Sequence, residues 1–365
     1  MARAVGTSGP ASDRRSRRLL RAGVLAVAVV LPGLAEAGLS RPPTATASAA
    51  RTGSFGAFLQ ALWPEAHAHG VSRATFDAAF LGVTPDPAVI DKTRTQAEFR
   101  KTVGEYLETA VSDKRIALGR DKYAEYQRWL ERAEAQYGVD RYIIMGVWGL
   151  ETKYGTYTGD DYVIRSLATL AAAHYRGTYF RTELVKALVI LQEGNIDPAH
   201  MMGSWAGAMG QTQFMPSNFK PYAVDFDHDG RRDIWTSVPD AIGSTANFLK
   251  KHGWVTGETW GYEVTLPRGF DSATEGARSV SFAAWADRGV ARADGGDMPR
   301  GGHAALLRPA GAAGPAFLVT PNFKVIKSYN NATSYALGVA LLGDRIAGWG
   351  PLKGRWPDAT VAEGR

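Results

Sequence analysis

Apolar positions recur at helical spacing along most of the chain. Phe55, Phe58, Leu59 and Leu62 share a helix face, and helical patterning runs from Phe55 to about Ala135. Ser72 precedes Ala74-Thr75-Phe76 as an N-cap, and Thr84-Pro85-Asp86-Pro87 breaks the run. An amphipathic stretch from Tyr123 to Gln136 leads to a second helix around residue 151, and Phe180 to Gln192 and Ala241 to Lys251 read as two more. Gly253 stops the last of these. Beyond Trp254 the period changes. Residues 260–267 and 316–320 alternate as strands, and a Gly-, Ala- and Asp-rich stretch from Gly269 to Gly314 separates them. Helical periodicity returns from Ser334 to Ile346.

One position breaks its own pattern. Ile144, Val147, Trp148 and Glu151 fall on a single helical stripe, so a carboxyl group stands among an isoleucine, a valine and an indole. Lost hydration disfavours its charged form and raises its pKa. A carboxylic acid that stays protonated near neutral pH is what glycosidic cleavage requires of its general acid, so Glu151 is the catalytic candidate.

The first residues read as an export signal. Arg14 to Arg21 precede an apolar run from Ala22 to Ala35, and Ala35-Glu36-Ala37 offers small residues for cleavage, which marks 1–37 as a signal peptide. The run is short for a membrane span. Sec and twin-arginine routes both remain open. Residues 38–53 are rich in Ala, Thr, Ser and Pro and read as a flexible leader, with ordered structure starting near Phe55. In 365 residues there is no cysteine, so the exported protein is expected to rely on core burial and a bound ion instead of disulfides, and no N-terminal cysteine can take a lipid. The formal charge of +6 falls to +2 once the first 37 residues, with six arginines and two acids, are set aside. That is too mild for a nucleic-acid footprint.

Three further stretches carry chemistry. Gly203 to Ser217 (GSWAGAMGQTQFMPS) combines tight-turn glycines with Ser204, Gln211 and Gln213, which suit sugar hydroxyls and N-acetyl groups, and with Trp205 and Phe214, which suit a sugar face. A structural turn is the alternative. Asp225-Phe226-Asp227-His228-Asp229-Gly230-Arg231-Arg232-Asp233 places oxygens at positions 1, 3 and 5, Gly at 6 and Asp at 9, as an EF-hand calcium loop does. Position 12 is Thr236 rather than Glu, and Asp240 is the candidate to close the site; a polar turn capping the next helix is the alternative. Tyr329-Asn330-Asn331-Ala332-Thr333-Ser334-Tyr335 suits a sugar subsite, or the cap and core of the last helix. The histidines have no ligand spacing, and no phosphate loop, dinucleotide fingerprint or nucleophile elbow is present.

Together these stretches resemble the lytic murein transglycosylase B family over about Phe55 to Arg345. Gly146 to Gly155 (GVWGLETKYG), Gly203 to Ser217, Tyr222 to Asp233, Asp240 to Ser244 and Tyr329 to Tyr335 follow the family's order. The resemblance implies a mainly α protein: an N-terminal helical domain (54–135), a lysozyme-like helical core (136–255), a small inserted β domain (256–325), a returning C-terminal helix (326–347) and a tail (348–365). It implies that Glu151 is the single acid/base. It implies sugar contacts from Ser204, Gln213, Tyr175, Tyr329, Asn330 and Tyr335. It implies structural calcium on Asp225, Asp227, Asp229, the Arg231 backbone and Asp240, with no cofactor for catalysis. Three departures stand out: Phe248 where an active-site tyrosine is common, one extra residue between Asp233 and Asp240, and the missing lipidated cysteine.

The implied reaction cuts the β-1,4 bond between N-acetylmuramic acid and N-acetylglucosamine without water, leaving a 1,6-anhydro end. The expected protein is a soluble periplasmic monomer acting on peptidoglycan strands, with neither nucleic acid nor a stable membrane anchor. Two rivals remain at this point: a lysozyme-type hydrolase with Asp160 or Asp161 as second carboxylate, and a non-catalytic glycan binder.

Overall fold

The computed structural model describes residues 47–95, 101–270 and 279–357. The expected signal peptide lies outside them. Helix α1 (Ala47–Ala68) begins inside the stretch read as a flexible leader, because Ala47, Ala49 and Ala50 favour helix more strongly than a compositional reading credits. Helix α2 (Arg73–Phe80) has the expected Ser72 cap, whose Oγ accepts from Thr75 N at 3.1 Å. The proline-containing break separates it from α3 (Pro87–Thr95). Thr102 and Glu105 form a reciprocal capping box on α4 (Val103–Ala110). The long α5 (Asp113–Tyr137) starts ten residues before the expected Tyr123 and ends at Gly138 in the left-handed conformation, φ 69°.

Helix α6 (Arg141–Thr152) is the centre of the molecule. Asp140 caps it by accepting from Tyr142 N at 2.7 Å, and every residue from Ile143 to Leu150 is buried. The sequence pattern suggested one apolar stripe, but the helix is enclosed on all sides. Around it, β1 (Asp161–Tyr162) pairs antiparallel with β2 (Met202–Gly203), flanked by α7 (Val163–Ala172) and α8 (Tyr179–Gln192). Short α9 (Pro216–Tyr222) and the buried α10 (Val238–Lys251) complete this layer.

The change of period after Trp254 corresponds to a five-stranded sheet ordered β4-β6-β7-β3-β5. Its strands are β3 (Gly261–Thr265), β4 (Val280–Ser281), β5 (Ala291–Arg292), β6 (His303–Leu307) and β7 (Ala316–Val319), all paired antiparallel. Only β3 and β7 were legible as strands. The Gly-rich stretch between them also holds α11 (Phe282–Asp287), whose Phe282 and Trp285 pack with Leu306 and Leu318 in a separate small core. Helix α12 (Pro321–Tyr329) leads back, and α13 (Thr333–Ala347) crosses α6.

That crossing is close for a stated reason. A methyl group at Gly146 would lie 2.2 Å from the Val339 carbonyl oxygen, and one at Gly343 would lie 2.6 Å from that of Tyr142. Only glycine lets the two backbones approach so nearly. The architecture is thus mainly α, with a β unit inserted ahead of the returning helix.

Candidate active site

Glu151 is the penultimate residue of α6, half-buried at the open end of an otherwise enclosed helix. Tyr335, in the first turn of α13 and 1% exposed, donates its hydroxyl to Glu151 Oε1 at 2.5 Å. Burial pushes the carboxyl pKa up to about 8, and the Tyr335 hydrogen bond opposes this by stabilising the anion. The group is therefore protonated at neutral pH, yet it has a donor ready for its conjugate base.

A second layer fixes the helix end. Trp148 Nε1 donates to Gln211 Oε1 at 3.0 Å, and Thr152 Oγ1 donates to the Gln211 carbonyl at 3.1 Å. Gln211 Nε2 in turn donates to Trp235 O at 3.2 Å. Gln211 is buried with both ends of its amide occupied, so it is a structural clasp rather than the sugar contact its residue type suggested. Trp205 and Phe214 are likewise core residues, 8% and 1% exposed, and present no face to a sugar. Sequence alone could not separate these from their neighbours, because a turn rich in small residues buries most of its side chains without a helical or strand period.

Ser204 and Gln213 remain partly open on the same turn. Ser204 Oγ accepts from Ala208 N at 3.0 Å, and Gln213 Nε2 donates to Thr158 O and Gly210 O, both at 2.9 Å. The Glu151 loop and the glycine-rich turn are thereby joined. Tyr329 donates its hydroxyl to Thr212 O at 2.7 Å, while Asn330, 8% exposed, accepts from Ala332 N at 3.0 Å through Oδ1. Tyr335 and Asn330 are thus buried, and Tyr175 is set in the α7–α8 corner, stacked on Phe180 at 5.6 Å. Phe248 is buried against Tyr329 at 4.7 Å and stacked on His252 at 4.0 Å, so an apolar wall stands at that point.

Tyr106 was not found from sequence. It projects from α4, half-buried, and burial pushes its hydroxyl pKa up, with a further contribution from the nearby Glu151. A methyl group at Gly338 would meet Leu150 Cδ2 at 3.0 Å and Tyr106 Cε1 at 3.2 Å, so Tyr106, the residue next to Glu151, and the helix bearing Tyr335 converge. Its neighbourhood is an ordinary capped short helix, and no motif marks it. Of the two aspartates weighed as a second carboxylate, Asp161 is paired with Lys92 Nζ at 3.3 Å and Asp160 is exposed. Among the described residues, burial raises the Glu151 pKa and the Tyr335 hydrogen bond lowers it, and neither aspartate contributes.

The acidic loop brings together Asp225, Asp227 and Asp229, whose carboxylate oxygens lie within 4.8 Å of one another. Asp229 N donates to both Asp225 Oδ1 and Asp227 Oδ1, and Gly230 N to Asp225 Oδ2, so the loop is already curled around its oxygens. An all-oxygen donor set fits a hard divalent cation such as calcium. Asp240 does not join the trio. It is fully buried, its Oδ1 accepts from Phe226 N at 2.6 Å and Asp227 N at 3.4 Å, and its Oδ2 accepts from Asp233 N at 2.7 Å. Its position on the first turn of α10 makes it a staple for the loop backbone, and it stands outside the three-carboxylate cluster. Asp233 is buried too, and its Oδ1 accepts from Trp235 N at 2.9 Å and Thr236 N at 2.8 Å.

The chain is similar to known proteins. The crystal structure of SltB3 from Pseudomonas aeruginosa in complex with NAG-anhNAM-pentapeptide superposes with a TM-score of 0.80 at 46% identity, covering 83% of this chain and 82% of that one. The Escherichia coli lytic transglycosylase Slt35 in complex with calcium matches at 30% identity and a TM-score of 0.67, covering 80% and 92%. The membrane-bound lytic murein transglycosylase B of Escherichia coli is 39% identical over 232 residues, 61% of each chain, so the match spans less than two thirds of that relative. A family model described as the transglycosylase SLT domain matches residues 54–344, and the chain belongs to that family.

Proposed function

We propose that the protein is a peptidoglycan lytic transglycosylase, and the observation that carries this reading is the environment of Glu151. Its carboxyl is half-buried, protonated at neutral pH, and hydrogen-bonded by one tyrosine hydroxyl. Such an acid protonates the glycosidic oxygen as the bond to C1 of N-acetylmuramic acid breaks and an oxocarbenium-like centre develops. The resulting carboxylate, held by Tyr335, then accepts the proton of the muramoyl C6 hydroxyl while that oxygen attacks C1. The products are a free N-acetylglucosamine 4-hydroxyl and a 1,6-anhydro ring, with no water consumed. One carboxylate serves both steps because the sugar supplies the nucleophile. Among the described residues, the shift of the Glu151 carboxyl comes from burial and Tyr335, which is in keeping with a single acid.

Ser204 and Gln213 form the open, polar part of the sugar site, backed by Tyr329, Asn330 and Tyr335, with Tyr175 at its periphery. The trio Asp225, Asp227 and Asp229, with the Arg231 carbonyl, would hold calcium. Bound calcium would supply charge neutralisation that stiffens the loop, and it takes no part in the bond-breaking. The leader pattern of residues 1–37 supports export to the periplasm, and no helix among the described residues is long and apolar enough to cross a membrane.

Digestion of purified sacculi by the wild-type protein and by Glu151→Gln, with mass analysis of the soluble fragments, tests the reading. Fragments lighter than hydrolytic ones by one water, lost in the variant, are expected. Hydrated ends from the wild type, or undiminished release by the variant, would overturn it.

A further inference from the structure

The family match ends at residue 344, but the ordered chain continues past α13 and folds back over the molecule. Trp349 N donates to the Asp344 carbonyl at 2.9 Å and begins the reversal. Lys353 N and Gly354 N then donate to the two oxygens of Glu263 on β3, at 2.8 and 2.7 Å. Gly354 lies against Pro315, where a methyl group would meet its Cβ at 3.2 Å. The segment closes with Trp356, half-buried, stacked over Phe317 of β7 at 6.4 Å. The other side of Trp356 meets α4: a methyl group at Gly104 would lie 2.8 Å from Trp356 Cβ and 3.1 Å from Cγ. Residues 349–356 therefore tie the β unit to α4, two positions from Tyr106.

We infer that this strap is a positioning device for the active site, in which Trp356 presses α4 inward so that Tyr106 closes over Glu151 and keeps water from the reacting sugar. The inference rests on the assignment of Glu151 made above. Its physical content is that α4 is only eight residues long and too short to hold its place by its own hydrogen bonds. Its position is set by what packs on it: α13 on one side, where Tyr106 lies over Gly338, and Trp356 on the other. With the strap released, water gains access to the oxocarbenium centre, and a water oxygen bonds C1 in place of the C6 oxygen, giving its proton to Glu151. The product is then a hydrated reducing end. A wetter carboxyl also ionises more readily, so the acid form is lost at lower pH.

The experiment compares the full-length protein with Trp356→Ala, Trp356→Phe and Glu263→Ala, none of which alters a residue touching the sugar. Three quantities are read: the ratio of anhydro to hydrated muramoyl ends, the basic limb of the kcat–pH profile, and amide hydrogen exchange in Val103–Ala110. Trp356→Ala and Glu263→Ala are expected to raise the hydrated fraction several-fold, to move the basic limb acidward by about one pH unit, and to speed exchange in α4. Trp356→Phe should restore most of each. An unchanged product ratio and pH limb in both alanine variants, whatever happens to their overall rate or melting temperature, would overturn the inference. Should Trp356→Ala fail to fold, Glu263→Ala decides. Should the wild type itself yield hydrated ends, the assignment of the reaction fails instead, and exchange in α4 alone judges the strap.

Discussion

Tyr335 Oη lies 2.5 Å from Glu151 Oε1, across a helix crossing that brings together residues 184 positions apart in the chain. The hydroxyl acts on the anion, since it lowers a pKa that burial alone would raise further. Tyr335→Phe is therefore expected to move the basic limb of the kcat–pH profile upward. It should also slow turnover about tenfold, the equivalent of the ~1.5 kcal/mol carried by a hydrogen bond to a charged group. Steady-state rates on sacculi across pH 5–10 provide the check; a limb that moves down would contradict the assignment.

Glu151 also makes stability depend on pH. Its folded pKa of about 8 exceeds the ordinary glutamate value, so the folded state holds its proton more tightly than the unfolded chain. Stability on this account is complete below the unfolded pKa and declines as pH rises between the ordinary carboxylate range and about 8. Glu151→Gln, fixed in the neutral form, should match the wild type in melting temperature near pH 5 and exceed it by several degrees near pH 9. Thermal denaturation monitored by circular dichroism at the two pH values measures this.

The α6–α13 crossing admits no side chain at Gly146. Gly146→Val should cost roughly 3 kcal/mol by forcing the Val339 backbone away. Because the same displacement draws Tyr335 from Glu151, activity should fall more than the folded fraction does. Urea denaturation and kcat measured on the same preparation separate the two effects.

Calcium is expected to raise the melting temperature and to lose that effect when Asp225, Asp227 and Asp229 are changed together to Asn. A cation at a hundred times its Kd would stabilise by about 2.7 kcal/mol. Asp240→Ala should act differently: it leaves three backbone amides without their acceptor and costs about 3 kcal/mol even without calcium. Melting curves with calcium or with chelator distinguish ligand from staple.

The parts of the fold and site visible in the sequence share a cause. Glu151 stood out because a carboxyl within an apolar helix violates its local pattern, and the acidic loop because its oxygens lie close in sequence. The α10 and α13 helices were legible for the same reason, since their apolar periodicity is long and uninterrupted. Tyr106 had no such signal: its relation to Glu151 arises only from tertiary packing at Gly338. Asp240 is close to the acidic loop in sequence, but spacing does not reveal that its carboxylate turns toward the loop's backbone amides. Strands β4 and β5 were hidden because two residues give no measurable alternation, and β6 because His303–Leu307 (HAALL) has no polar–apolar alternation in its residue types.

The separation of Glu151 from Tyr335 in sequence has a bearing on how the protein is made. The acid and its hydroxyl partner meet only when the chain's final long helix has been synthesised and has docked against one made nearly two hundred residues earlier. Until then the carboxyl has neither its donor nor its dry setting. On the proposed reading, a chain that ends before α13 would carry Glu151 without the setting its chemistry requires, so bond cleavage would be the last property the fold acquires.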